Sequence, residues 1–212
     1  MNHHPLARRF EEIGVPFRAR DHHWFRVDVG REGKREHIRF SPGDAECYVM
    51  DADVEKKQLL LFAKERAWDG RVNKRRILCG QDERSLFAVT VANPHGMVVN
   101  TVRAAHEALK PIEVRKADGK VLRQGDWFFV PWCETIWNGW HVRRGRLGWG
   151  NPHLVDQMVG HPGRFHSIWG PTPGPVLARG FVRHREHKPL TLRIWHRVYP
   201  NTGGTAPGNY VD

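Results

Sequence analysis

The hydrophobic spacing changes several times along the chain. Leu6, Phe10 and Ile13 stand at i, i+4 and i+7 behind Pro5, which predicts a short helix stopped at Gly14. From Phe17 to Val29 the period is two. Phe17, Ala19, Phe25, Val27 and Val29 fall on one face, and Arg18, Arg20, Trp24 and Arg26 on the other, which predicts one long strand. Further strands are expected at His37–Phe40, Cys47–Met50, Gln58–Lys64, Ile77–Cys79 and Ser85–Ala92, the last broken by Asn93-Pro94. Val98, Val102, Ala105 and Leu109 mark one face of a helix ending at Pro111.

Ile112–Arg115 and Lys120–Arg123 flank an Asp118-Gly119 step, a hairpin signal. Trp127–Val130 has the composition of a buried strand closed by Pro131. Asn151-Pro152 supplies an N-cap and a first-turn proline, which predicts a helix to about Val159 stopped by Gly160. Val176–His184 and Leu190–Tyr199 are expected to pair across residues 185–189. Many strands and few helices make the class α+β, a largely antiparallel sheet with two or three short helices and long loops.

Placing His184 opposite Leu190 sorts that hairpin into two faces. Val176, Ala178, Val182, Leu192, Ile194, His196 and Val198 take the core side. Leu177, Arg179, Phe181, Arg183, Thr191, Arg193, Trp195, Arg197 and Tyr199 take the outer side. Aromatic rings stack on unpaired bases while guanidinium groups neutralise phosphate. Arg18, Arg20, Trp24 and Arg26 repeat the pattern and would extend the platform if their strand joined the same sheet. Pairing of these arginines with their aromatic neighbours, such as Arg179 with Trp195, is the competing structural role.

Charge strengthens the polyanion reading. The 212 residues carry 34 Lys+Arg against 23 Asp+Glu, a formal net charge of +11. Ten basic and three acidic residues lie in 135–212, a stretch that also holds seven of the 14 histidines. A basic, loop-rich part after a near-neutral one suits a nucleic-acid surface on a scaffold. The organisation expected is a single domain over residues 1–200, near-neutral through 134 and basic from 135, followed by a loose tail over 201–212. Trp127, Trp132, Trp137, Trp140 and Trp149 surround a basic run containing Arg143, Arg144 and Arg146, a second candidate strand clamp.

The candidate chemistry is histidine-based. His184 and His187 have the spacing of a metal pair, so a divalent metal is the one cofactor the sequence suggests. His196, six residues beyond Leu190 in the paired strand, stands too far along to join them. His153, in the first turn of the expected helix, would be a neutral base beside an anion site. His153, His184, His187 and His196 are therefore the catalytic candidates for a phosphodiesterase. Cys47, Cys79 and Cys133 are too scattered for a disulfide framework or a zinc ribbon, which suits a reducing cytoplasm. No P-loop, dinucleotide fingerprint, HExxH or GxSxG motif occurs. No apolar run approaches a membrane span, and the opening MNHHPLARRF lacks a signal-peptide core.

The function expected is binding of nucleic acid, single-stranded or RNA, with a histidine-dependent nuclease activity as its enzymatic form. A non-catalytic assembly module, of the kind mobile elements and phages carry, would use the Trp-rich loop on a protein partner instead. A metal-dependent hydrolase of another anionic substrate is the third reading.

Overall fold

The computed structural model describes residues 4–67, 69–92, 94, 96–134, 140–148, 151–160 and 176–203. These residues form an α+β protein of mostly antiparallel sheets with three short helices. No helix among them is long and apolar enough to cross a membrane. Contacts divide the chain at Leu109 and Lys110, well before the change in charge near residue 134.

The first unit contains α1 (Pro5–Glu12), β1 (Phe17–Ala19), β2 (Arg26–Glu32), β3 (Arg35–Ser41), β4 (Glu46–Asp53), β5 (Gln58–Arg66), β6 (Val72–Asp82), β7 (Ser85–Val91) and α2 (Val102–Leu109). β4 to β7 form an antiparallel meander covered on both faces. Leu59, Leu61, Ile77 and Cys79 face a core shared with α1, β2 and β3, while Leu60, Leu78 and Val91 face α2. Burial on both sides explains the unbroken Leu59-Leu60-Leu61 run. Thr202 returns to this unit, donating to the carbonyls of Leu109 at 2.9 Å and Ala108 at 3.0 Å.

The long strand expected from Phe17 to Val29 is two strands. β1 runs parallel to β3 on one side, and β2 runs antiparallel to β3 on the other. The chain must therefore reverse between Ala19 and Arg26. Because the alternation continues through the reversal, without a glycine or proline to mark it, the periodicity reads as continuous.

The second unit holds α3 (Ile112–Arg115), β8 (Leu122–Gln124), β9 (Trp127–Pro131), β10 (Trp140–Leu147), β11 (His153–Gly160), β12 (Val176–Arg183) and β13 (Leu190–Pro200). The sheet order is β10-β11-β12-β13-β9-β8. Its core gathers Trp127, Phe129, Leu147, Val155, Met158, Ala178, Val182, Leu192 and Val198. A Cβ on Gly148, just past β10, would lie 3.8 Å from the Trp127 ring of β9. The sheet thus curls to bring residues of non-adjacent strands together on one inner face.

Three local expectations are corrected in this unit. Ile112–Arg115 is a helical turn entered at Pro111, and the hairpin instead closes at Gly125-Asp126, between paired Gln124 and Trp127. Residues 151–159 are not a helix: β11 pairs on both sides. The β11–β12 register shifts between Val155 and Gln157, where Gly180 and Phe181 of β12 oppose Asp156 alone, and around it Val155, Met158 and Val159 are buried at helical spacing although they sit on a strand. The β12–β13 register also differs. Val182 faces Leu190, two residues off the expected pairing, while Ala178 faces His196 as expected, and a bulge between Ala178 and Gly180 absorbs the offset. It turns Ile194 outward to 54% exposure, whereas Leu177 is buried.

Candidate functional site

The corrected register creates a cluster of imidazoles. Leu154 pairs with Arg183 as the last rung of β11 and β12, and both side chains point outward. The next position on each strand, His153 and His184, therefore turns inward. Their rings stack with centroids 4.2 Å apart and planes 15° from parallel. His187, on the loop before β13, stacks 4.7 Å from His184 and 5.5 Å from His153. One ring nitrogen from each residue lies within 4.8 Å of one from each of the others.

Gly125 makes room for the trio. With φ +56°, it occupies the first position of the β8–β9 turn, and a Cβ there would lie 2.6 Å from His187 Nε2 and 3.2 Å from His153 Nε2. Any side chain would drive into the rings.

The hydrogen bonds assign His184. Its Nδ1 accepts from the Glu186 backbone N–H at 3.2 Å and therefore carries the lone pair. Its Nε2 then holds the proton and donates to the Asn151 carbonyl at 3.0 Å. His153 is 6% exposed, and its Nε2 is buried without a hydrogen-bond partner among the described residues. Burial pushes its pKa down to about 3, with His184 and His187 acting in the same direction. Burial also lowers His184, partly offset by its bond to Asn151. The three rings form a nitrogen-rich group that can hold a metal ion.

The opposite face of the sheet carries the cations. Arg143 of β10 pairs with Gln157 of β11, which pairs with Arg179 of β12. Arg146 likewise pairs with Leu154, which pairs with Arg183. All six side chains are exposed, so two cross-strand rows each present arginines separated by about 9.5 Å. Trp195 from β13 lies 6.0 Å from the Arg179 guanidinium and 6.5 Å from the His141 ring on β10. Arg183 lies 5.0 Å from the Phe181 ring, and Arg197 sits 5.1 Å from Tyr199 and 5.8 Å from Trp132. The arginine–aromatic pairing considered as a structural role is thus present at Arg179, Arg183 and Arg197. Arg143, Arg146 and Arg193 are exposed and make no ion pair among the described residues.

Asp156 anchors this face. Its carboxylate accepts from the Phe181 N–H at 2.9 Å and from Arg183 at 2.6 Å, which holds its pKa below the usual range. Gly180, at φ +91°, leaves the space the carboxylate occupies: a Cβ there would lie 2.7 Å from the Asp156 Cβ. Arg144 of β10 has φ +59°, and its charge helps to lower the Asp156 pKa.

No protein-family model, curated protein or solved structure matches the chain. The site is therefore read from its own geometry.

The remaining candidates separate. Arg18, Arg20, Trp24 and Arg26 belong to the first unit, on or beside the β1-β3-β2 sheet, so no single sheet extends the platform to them. Arg18 pairs with Glu32, and Arg26 with the buried Asp28. Trp24, 70% exposed, and Arg26 line a cavity of about 310 Å³ with Glu65 and Arg75, themselves ion-paired at 3.0 Å. His196 is buried on the inner face, bonded to the Ile194 carbonyl at 2.8 Å, and does not join the imidazoles. The helix-terminus role expected for His153 is withdrawn because His153 opens a strand. Trp137 and Trp149 lie outside the described residues, and Trp127 is core. Cys47 and Cys79 pack in the first core, where burial raises both thiols, Cys47 to about 12.

Gly125 and Asp156 escaped the sequence reading, and Asn151 entered it only as a helix cap. The Gly-Asp step before Trp127 is a turn signal that could have located Gly125; nothing local marks Asp156.

Proposed function

We propose that the 110–201 unit binds single-stranded nucleic acid across the outer face of β10 to β13. The observation that carries this reading is the pair of cross-strand rows, Arg143–Gln157–Arg179 and Arg146–Leu154–Arg183. They bring arginines distant in sequence onto one surface, where Asp156 is neutralised by Arg183. Exposed Phe181 and half-buried Trp195 offer rings at the level of the guanidinium groups. Stacking contributes about 1–3 kcal/mol per base, and phosphate neutralisation gives the salt-dependent remainder. Strand cleavage is not part of the reading, because His153 and His184 turn to the face opposite the arginines.

Anisotropy of labelled single-stranded and duplex oligonucleotides, measured from 50 to 200 mM salt, tests it. Affinity should fall steeply with salt and favour the single strand. Arg143→Ala with Arg146→Ala should flatten the log–log salt slope by about 0.7 for each phosphate that is no longer neutralised. A salt-insensitive signal, or an unchanged slope in the double variant, overturns the proposal.

A further inference from the structure

We propose that His153, His184 and His187 form a three-imidazole site for a divalent transition metal ion of the zinc class, with a fourth coordination position left for water or a ligand. The proposal does not depend on polynucleotide binding, which uses the other face.

Three independent features converge on it. The donor set is all nitrogen, one from each ring and mutually within 4.8 Å. Imidazole suits Zn²⁺, Co²⁺, Ni²⁺ and Cu²⁺, whereas Mg²⁺ and Ca²⁺ require oxygen. A buried polar atom without a partner is costly, and His153 Nε2 is one, more than nine-tenths buried beside Gly125. A bound cation would satisfy that lone pair. Finally, His184 has the outer contact expected of a metal ligand: Nε2–H is held by the Asn151 carbonyl, which leaves the lone pair on Nδ1. The ion would displace the 3.2 Å contact from the Glu186 N–H.

Seating the ion takes a movement of the rings. Tetrahedral coordination at 2.0–2.1 Å places nitrogens about 3.3 Å apart, closer than the 4.8 Å limit found here, and needs rings that converge instead of stacking. His153 is fixed by β11. His187 lies between β12 and β13, outside the ladder, and can turn toward the pair. Gly125 keeps the volume clear: a methyl group there would stand within 3.2 Å of two of the three rings. His184 and His187 are half-exposed, so the fourth position faces the solvent side. Three protein ligands with one open position are the arrangement of metal centres that activate water.

The test uses the full-length protein stripped with a chelator, then titrated with Zn²⁺ by calorimetry and with Co²⁺ by visible spectroscopy. One equivalent should bind more tightly than the scattered surface histidines permit. The Co²⁺ complex should show the intense bands of a four- or five-coordinate site, and Mg²⁺ should not compete. His184→Ala and His187→Ala should each weaken that equivalent by roughly 100-fold or more, while exposed His141→Ala leaves it unchanged. Because truncating a buried ring can unfold the unit, Gly125→Ala is a second probe: it keeps all three imidazoles and should weaken binding by about 10-fold, with circular dichroism confirming the fold. Binding of equal strength in wild type and the His184→Ala/His187→Ala double variant overturns the proposal, as does the absence of any tight equivalent in wild type.

Discussion

Gly125 and His187 share space that a single methyl group would fill: a Cβ on the glycine would stand 2.6 Å from His187 Nε2. Gly125 also holds φ +56°, where a Cβ is strained by its own backbone. Gly125→Ala should therefore destabilise the second unit by about 1–3 kcal/mol, read as a shift in urea midpoint at unchanged m-value. Equal stability of the two proteins would mean that His187 retreats at no cost, and that the glycine does not shape the cluster.

Acid should weaken the fold through His153. Its pKa is near 3 in the folded protein and about 6.5 in the unfolded chain, so the unfolded state binds more protons between these values. The stabilising contribution is complete above about pH 6.5 and is lost as pH falls toward 3, reaching a few kcal/mol in all. Urea midpoints in chelator from pH 7.5 to 4.5 should show the decline, and His153→Gln should flatten it. An equally steep decline in that variant would assign the proton uptake elsewhere.

Asp156 opposes the proposed ligand while it positions Phe181 and Arg183. Asp156→Asn keeps an acceptor for the Phe181 N–H and removes the charge, so Arg183 becomes available to a phosphate. Polynucleotide affinity should rise several-fold and the salt slope steepen by about 0.7, with stability reduced by about 1 kcal/mol. Weaker binding with the fold intact would show that ordering the β11–β12 bulge matters more than the charge.

In the first unit, Asp28 is fully buried and receives Arg39 through two bonds of 2.7 and 2.6 Å, with Arg26 also paired to it. Asp28→Ala strands two guanidinium groups and should cost about 3–5 kcal/mol. Thermal unfolding of the variant measures this, and a loss below about 1 kcal/mol would show that water replaces the carboxylate.

Elements whose periodicity is interpreted by local packing were legible in advance. The helix behind Pro5 and the strands of the meander follow from spacing, as does the helix ending at Leu109 except for Val98, which precedes it and is exposed. Residues 151–160 were not legible: where Gly180 and Phe181 of β12 oppose Asp156 alone, the buried positions of β11 fall at helical spacing, and the Asn-Pro signal supports the same error. Arg179 stays on the outer side with Trp195 beside it because the two-residue offset preserves the parity of the faces, whereas Ile194, in the same unpaired stretch as Trp195, turns outward against expectation.

Sequence alone determined the class of the protein, its excess of positive charge, and the membership of His184 and His187 in one local group, since these depend on composition and on neighbours along the chain. Tertiary structure decided the partners. It brought His153 against His184 across a strand pair, set Gly125 under His187, and aligned Arg143 with Arg179 and Arg146 with Arg183 through β11. Register carries that information, and it is set by the joint burial of a whole sheet, in which one inserted residue redirects every side chain beyond it.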